Sequence, residues 1–148
     1  MDKEDNLVIK EIARFDKNVL LDLNNLLLQW SQKNRYQIKP DYFKSLIKNS
    51  HLIAMYDGEK IIGTITLIEI YKLSGIKGSL EHLLIDEKYR GKGLGKKLML
   101  YAIGLAKKLK MDVLFLTCEP KRTVANLLYQ KLGFKIKETN FYYLDIKK

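Results

Sequence analysis

Cysteine, proline and long hydrophobic runs are scarce in this chain of 148 residues. Its one cysteine, Cys118, excludes a framework of internal disulfides and fits a reducing cytosol. No apolar run approaches the roughly 20 residues that span a bilayer. The opening stretch MDKEDNLVIK also lacks the apolar segment of a secretory signal. These absences predict a cytoplasmic protein that makes no contact with a membrane.

Acidic side chains are in the minority, with 17 Asp and Glu against 27 Lys and Arg, so the net charge is +10. Such an excess is typical of proteins that bind nucleic acid or another polyanion, but it also arises in any lysine-rich chain. The sequence has no RNA-recognition strand, recognition helix or zinc-finger pattern. We therefore expect no nucleic-acid partner and keep a nucleic-acid-binding module as an alternative. Two histidines and one cysteine without ligand spacing predict no metal.

Hydrophobic periodicity predicts one α/β domain over residues 1–148, with elements in the order β-α-α-β-β-β-α-β-α-β-β. The predicted helices are 16–32, 39–49, 93–110 and 120–134. The predicted strands are 7–15, a hairpin within 51–71, 79–86, 111–118 and a closing hairpin of FKIKE and FYYLDI. Residues 73–78, LSGIKG, are predicted to form a loop. This order favours a mixed and mostly antiparallel sheet.

The stretch DEKYRGKGLGKKL, residues 86–98, places three glycines and five basic residues between a predicted strand and a predicted helix. Free N–H groups and the helix dipole attract anions to a helix N-terminus, and glycine lets the backbone approach them closely. No Ser or Thr follows Lys96, as a Walker A loop requires, and the glycine spacing is not that of a dinucleotide fold. The stretch therefore predicts a pyrophosphate cradle of another kind, with a ligand-free tight turn as the alternative.

Two motifs of the sequence carry a family resemblance. The first is Arg90-x-x-Gly93-x-Gly95 after an apolar strand, and the second is VANLLYQKLGF (124–134). They resemble the acetyl-CoA signature and the second signature of the GNAT acetyltransferases. The predicted element order is also that of the family. The resemblance implies an acetyl-CoA-dependent N-acetyltransferase in which the parallel strands 79–86 and 111–118 splay apart around the pantetheine arm.

The resemblance also implies which residues hold acetyl-CoA. Main-chain groups of the strand before the loop would pair with the pantetheine arm, and the loop amides would hold the pyrophosphate. The strand positions are Leu83, Leu84 and Ile85, and the loop positions are Arg90, Gly91, Lys92, Gly93, Leu94, Gly95 and Lys96. Asn126 is a further expected contact, although many family members carry their asparagine at the position of Arg122.

Acetyl transfer to an amine requires a base, a donor for the developing oxyanion and a proton for the leaving thiolate. Glu81 is the expected base, because Glu81-His82 resembles a pair found at this place in the family. Binding a substrate ammonium, or facing solvent, are the alternatives for this carboxylate. Tyr129 matches the family tyrosine that points at the CoA sulfur, so it is the expected acid, and core packing is its alternative. Direct attack in a ternary complex requires no covalent intermediate.

Tyrosines are plentiful, and the resemblance implies an acceptor pocket built from the first two helices, the 71–80 loop and the closing hairpin. The aromatic residues expected there are Trp30, Tyr36, Tyr42, Phe43, Tyr71, Tyr142 and Tyr143. Such a set can hold a cation by π contacts. We therefore expect a small primary amine as acceptor, with a protein lysine or N-terminus as an alternative. A non-catalytic acetyl-CoA-binding module and a homodimer are also kept open.

Overall fold

The computed structural model describes residues 6–31 and 36–147, which fall into two compact units divided after Leu116. Gln32, where the first helix was predicted to end, lies outside the described residues. The first unit contains β1 (Leu7–Glu11), α1 (Lys17–Trp30), α2 (Pro40–Asn49), β2 (His51–Asp57), β3 (Lys60–Lys72), β4 (Gly75–Ile85), α3 (Leu94–Lys108) and β5 (Val113–Phe115). The second contains α4 (Thr123–Lys131). One domain that spans both units stays a prediction.

Within the described residues, the strands form one sheet in the order β1-β2-β3-β4-β5. Every neighbouring pair is antiparallel except β4 and β5, which are parallel. The predicted α/β class with a mixed, mostly antiparallel sheet is confirmed. The predicted closing hairpin is wrong, because residues 134–147 form neither strand nor helix. The apolar side chains that suggested it, such as Ile136 (81% exposed) and Tyr142 (87%), lack the burial that would stabilise strands.

Helices cover both faces of the sheet. The Asp16 carboxylate caps α1 by accepting hydrogen bonds from the main-chain N–H groups of Asn18 (2.7 Å) and Val19 (3.0 Å). Apolar residues of α1 and α2 form a buried cluster with one face of the sheet: Leu20, Leu23, Leu26, Phe43, Leu52, Ala54, Ile61 and Leu84. The buried face of α3 lies on the other side, at Leu98, Met99 and Ala102. In the described residues, no helix is long and apolar enough to cross a membrane.

The predicted loop at residues 73–78 is wrong, because β4 already begins at Gly75. A side chain at Gly78 would lie 2.5 Å from Leu114 Cδ2 and 2.7 Å from the Met111 sulfur. This glycine therefore reflects close packing within a strand, and it does not mark a turn. The N-terminal part of β4 pairs with β5. Its C-terminal part does not, and it contributes to the candidate site.

His51 bridges two carboxylates on the sheet. Its Nδ1 lies 3.0 Å from Glu11 Oε2, and its Nε2 lies 2.7 Å from Glu69 Oε1. Two such contacts require both ring nitrogens to carry a proton. Burial alone would lower the pKa of His51, but the hydrogen bonds to Glu69 and Glu11 outweigh it, so the pKa is raised above 6.5. His51 is therefore protonated more readily in the folded chain than in the unfolded chain.

We expect the bridge to make stability depend on pH. A raised folded pKa stabilises the fold fully below the unfolded value of 6.5, and this contribution is lost as the pH rises through the folded value. Urea unfolding at about pH 6 and about pH 9 should show a loss of stability in the wild type. His51→Gln keeps a side chain that forms hydrogen bonds but does not titrate, so its loss should be smaller. Equal losses in the two proteins would contradict this origin.

Candidate functional site

The second half of β4 has no strand partner on its β5 side in the described residues. Parallel pairing joins residues 77–79 to residues 113–115 and stops there, whereas β4 continues to Ile85. The predicted separation of the two parallel strands is therefore confirmed. Main-chain groups beyond Ser79 on this edge are placed to pair with an extended ligand, as an added strand would. Leu83, Leu84 and Ile85 lie on this stretch, and the Ile85 carbonyl also accepts a hydrogen bond from Arg90 Nε at 3.0 Å.

A bulge interrupts β4 at the same place. Thr66 lies opposite Glu81 and Thr64 lies opposite Leu84, so His82 and Leu83 both face the single residue Ile65. His82 has a left-handed backbone with φ 49°, which is uncommon for a residue other than glycine. The bulge leaves main-chain groups outside the ladder and re-aims the neighbouring side chains. Sequence reasoning missed it, because neither glycine nor proline marks it.

Glu81 lies beside this bulge on the face that α1 and α2 cover. Its cross-strand partner Thr66 pairs in turn with Leu52, which belongs to the cluster under those helices. The Glu81 carboxylate is partly exposed and accepts a short hydrogen bond from the hydroxyl of Ser79, which is buried. A partly exposed carboxylate with one fixed partner can still accept a proton from a bound amine.

His82 and the aromatic residues of the first unit have separate environments. The exposed His82 ring packs edge-on against Trp30 at 5.1 Å, and Trp30 stacks on Tyr36 at 6.1 Å. Phe43 is fully buried in the core against Phe15, so its predicted place in an acceptor pocket is wrong. Tyr71 donates a hydrogen bond to Glu69 at 3.1 Å, in the His51 bridge. Of the aromatic residues predicted for the acceptor pocket, Trp30 therefore contacts β4 next to Glu81, and Tyr36 packs against Trp30.

The glycine loop leads from β4 into α3. Gly91 (φ 77°) and Gly93 (φ 75°) both adopt the left-handed conformation, and no heavy atom lies within 4 Å of a Cβ built on either. Glycine is therefore required here by backbone conformation, and open space remains beside the loop. Gly93 is the N-cap of α3, and no side chain of the described residues caps the helix. The first N–H groups of α3, at Leu94, Gly95 and Lys96, are consequently available to an anion.

Basic side chains around the loop differ in their contacts and exposure. Arg90 braces the loop through its bond to the Ile85 carbonyl. Lys92 lies 5.7 Å above the ring of Tyr89, whose hydroxyl donates to Asp57 Oδ2 at 2.6 Å. Lys92 and Lys96 are exposed, so their charges add to the positive end of the helix dipole.

The remaining predicted residues lie in the second unit. Tyr129 is half-buried on α4, and its ring packs against Phe134 at 6.2 Å. Burial, and then the neighbouring Cys118, raise the pKa of its hydroxyl, although Arg122 opposes the shift. The phenol is therefore neutral at pH 7 and able to donate a proton. Asn126 uses its amide nitrogen to bind the carbonyls of Glu119 and Arg122, each at 2.9 Å, at the start of the helix.

Comparison with known proteins decides the family. A sequence model of the acetyltransferase (GNAT) family matches residues 20–134, which is most of the chain. The chain belongs to the GNAT acetyltransferases. This match covers both motifs that suggested the resemblance.

Solved structures share the fold of this GNAT chain. A transcriptional regulator from Bacillus halodurans is 24% identical, with a TM-score of 0.82 over 94% of this chain and 99% of that one. An aminoglycoside acetyltransferase from an uncultured soil sample is 17% identical, with a TM-score of 0.84 over 97% and 99% of the two chains. Glucosamine-6-phosphate N-acetyltransferase from Arabidopsis thaliana is 20% identical, with a TM-score of 0.72 over 94% and 99%.

Sequence reasoning missed one contact beside the glycine loop. Asp86, the first residue after β4, is only 5% exposed and accepts hydrogen bonds from the Lys88 N–H (2.9 Å) and from Gln29 Nε2 (3.3 Å). The acidic residue was visible at the end of the strand, but no pattern in α1 indicated Gln29 as its partner. Contacts between residues this distant in sequence require the folded sheet.

Proposed function

We propose that the protein transfers the acetyl group of acetyl-CoA to the primary amine of a small molecule. The observation that carries this proposal is the uncapped N-terminus of α3, entered through two left-handed glycines, directly after the unpaired edge of β4. An anion site and an extended main-chain edge in succession suit a ligand that carries a pyrophosphate followed by an amide-rich arm. Acetyl-CoA has this chemistry, and membership of the family supports it.

The loop and strand divide the binding of acetyl-CoA between them. Amides from Arg90 to Lys96 would bind the pyrophosphate, and the exposed lysines would supply charge. Main-chain groups of Leu83, Leu84 and Ile85 would bind the pantetheine arm, as predicted from the resemblance. Asn126 can contribute through its side-chain oxygen, since its amide nitrogen is engaged within its own loop.

Two side chains would move the protons. Glu81 takes a proton from the bound ammonium, and the free amine then attacks the thioester carbon. A main-chain N–H of the bulged strand donates to the carbonyl oxygen as negative charge develops. The C–S bond breaks and the C–N bond remains. Tyr129 gives its proton to the leaving thiolate, and the second proton lost by the new amide nitrogen returns to the Tyr129 oxygen. Both substrates are bound together, so no acetylated enzyme forms.

A small amine is the acceptor class that we favour. Trp30 and Tyr36 present aromatic surface beside the strand that carries Glu81, and a cationic amine binds well between aromatic rings and a carboxylate. Two proteins of similar fold are named for acetylating small amines, an aminoglycoside and glucosamine 6-phosphate. We also propose one domain over both units and a cytoplasmic location.

Acetyl transfer to a panel of amines tests the proposal. The panel should contain aminoglycosides, amino sugars, polyamines and a lysine peptide, and free CoA thiol should be followed together with the mass of each amine. Transfer to a small amine supports the proposal, and transfer to the peptide alone would move the acceptor to proteins. Tight binding of acetyl-CoA with no acetylated amine would instead favour a non-catalytic binding module.

Tyr129→Phe should lower kcat by about 100-fold and change the KM for acetyl-CoA little, because the acid acts only as the thiolate leaves. The measurement is steady-state kinetics on the best amine. Tyr101→Phe, at an exposed tyrosine of α3 outside the residues assigned to the site, is the control and should keep full activity. An unchanged kcat in Tyr129→Phe would leave this tyrosine with a packing role against Phe134.

A further inference from the structure

Gln29, on the last turn of α1, contacts the glycine loop at two consecutive residues. Its Nε2 donates to Asp86 Oδ2 at 3.3 Å, and its Oε1 accepts from the Glu87 N–H at 3.0 Å. The two ends of one amide therefore contact a carboxylate and a main-chain donor, an arrangement that fixes which end is oxygen. A carboxylate at this position could accept from Glu87 but would repel Asp86.

Asp86 needs this partner because it is a nearly buried charge. The other contacts of its carboxylate are the Lys88 N–H and the Lys60 ammonium, which lies 3.8 Å away. Burial alone would raise the pKa of Asp86, but these contacts outweigh it and lower the pKa. Asp86 therefore remains a carboxylate and holds the turn of residues 87–89 that begins the loop.

The helix that carries Gln29 is itself fixed to the sheet. Asp22 on α1 accepts a hydrogen bond from the Ile61 N–H of β3 at 2.9 Å. Gln29 lies seven residues later, two turns along the same face of the helix. The next residue, Trp30, packs against His82 of β4. Gln29 thus projects from a rigid part of the fold.

The first turn of the loop is held at both ends. Gln29 does not brace the residues that follow this turn. Gln29 and Asp86 hold the entry, and the hydroxyl of Tyr89 holds the exit through Asp57. Only then do Gly91 and Gly93 turn the chain toward α3. The position of the loop amides therefore depends on these contacts as well as on the glycines.

We propose that Gln29 is a positioning residue for the loop that binds the pyrophosphate of CoA, acting through its paired hydrogen bonds to Asp86 and Glu87. This inference rests on the proposed function for the identity of the ligand. Gln29 makes no bond to the ligand. It holds the loop in the binding conformation before the ligand arrives, so that less ordering is required on binding.

The test compares Gln29→Met and Gln29→Glu with the wild type. Met keeps the length of the side chain without its hydrogen bonds, and Glu keeps the acceptor but brings a second carboxylate to Asp86. We expect the Kd for CoA, measured by calorimetry, to rise about tenfold in Gln29→Met and further in Gln29→Glu, since both hydrogen bonds that order the loop involve a charged or main-chain group. Leu21→Gln, at an exposed position of the same helix, should bind CoA as the wild type does.

Two further readouts separate positioning from a general loss of stability. Hydrogen exchange in the free proteins should quicken at the Glu87 amide in both variants and remain slow in the core of the sheet. The KM for acetyl-CoA should rise while kcat at saturation changes little. Unchanged CoA affinity in both variants would overturn the role of Gln29 alone. Absence of CoA binding by the wild type would overturn the proposed function and, with it, the ligand assigned to this loop.

Discussion

Gly93→Glu should abolish the binding of acetyl-CoA while the chain still folds. A residue other than glycine at this position must adopt φ 75°, which is unfavourable, but its Cβ would have no atom within 4 Å beyond its chain neighbours. The new carboxylate would stand at the uncapped N-terminus of α3 and occupy the place proposed for the pyrophosphate. Calorimetric titration with acetyl-CoA is the measurement, and circular dichroism checks the fold.

Gly104→Glu is the matched control for this change. Gly104 also lies in α3 and is exposed, with no atom within 4 Å of a Cβ built on it, but its φ is not in the left-handed region. It introduces the same charge on the same helix away from the loop. Affinity near that of the wild type is therefore expected. Comparable losses at both glycines would point to net charge, and full binding by Gly93→Glu would exclude this loop as the phosphate site.

Glu81→Gln should lower kcat by about 100-fold or more, since a general base contributes at least that factor. The amide keeps the shape of the side chain and can still accept the hydrogen bond from Ser79, but it cannot take up a proton. Binding of acetyl-CoA should be unchanged, because that ligand is proposed to contact the main chain of the strand.

The same kinetics separate the two roles considered for Glu81. If the carboxylate only binds the ammonium of the acceptor, Glu81→Gln raises the KM for the amine and leaves kcat nearly intact. Glu59→Gln, at an exposed glutamate in the turn between β2 and β3, serves as the control for the loss of one negative charge. Wild-type values of both constants in Glu81→Gln would exclude either role.

Local patterns predicted the elements whose signals are short-range. The cap of α1 at Asp16, the turn at Gly58 and the glycines before α3 each act within a few residues, and all three lie where the sequence placed them. The position of the proposed anion site was predicted from such signals. Family resemblance then supplied the proposed identity of the anion, which neither charge nor spacing could define.

Elements that depend on distant partners were predicted less well. Gly78 suggested a loop because its reason for being glycine, the approach of Leu114 and Met111, involves residues more than thirty positions away. The closing hairpin was predicted from apolar and aromatic residues at 134–146, and in the structure these side chains find no sheet edge that would pair with them within their own unit. Gln29 could not be assigned for the same reason.

The extra residue in β4 has a consequence for any redesign of this strand. Because two residues there oppose one, Glu81 and Leu84 share a face although they are an odd number of positions apart. Deleting His82 would restore a strict two-residue alternation and keep Glu81 and Leu84 on one face, but it would remove the bulge and the main-chain groups that the bulge leaves outside the ladder. The alternation of side chains at Glu81, before the bulge, is therefore offset by one residue from the alternation in the segment that enters the glycine loop. A site transferred to another protein would have to include this bulge.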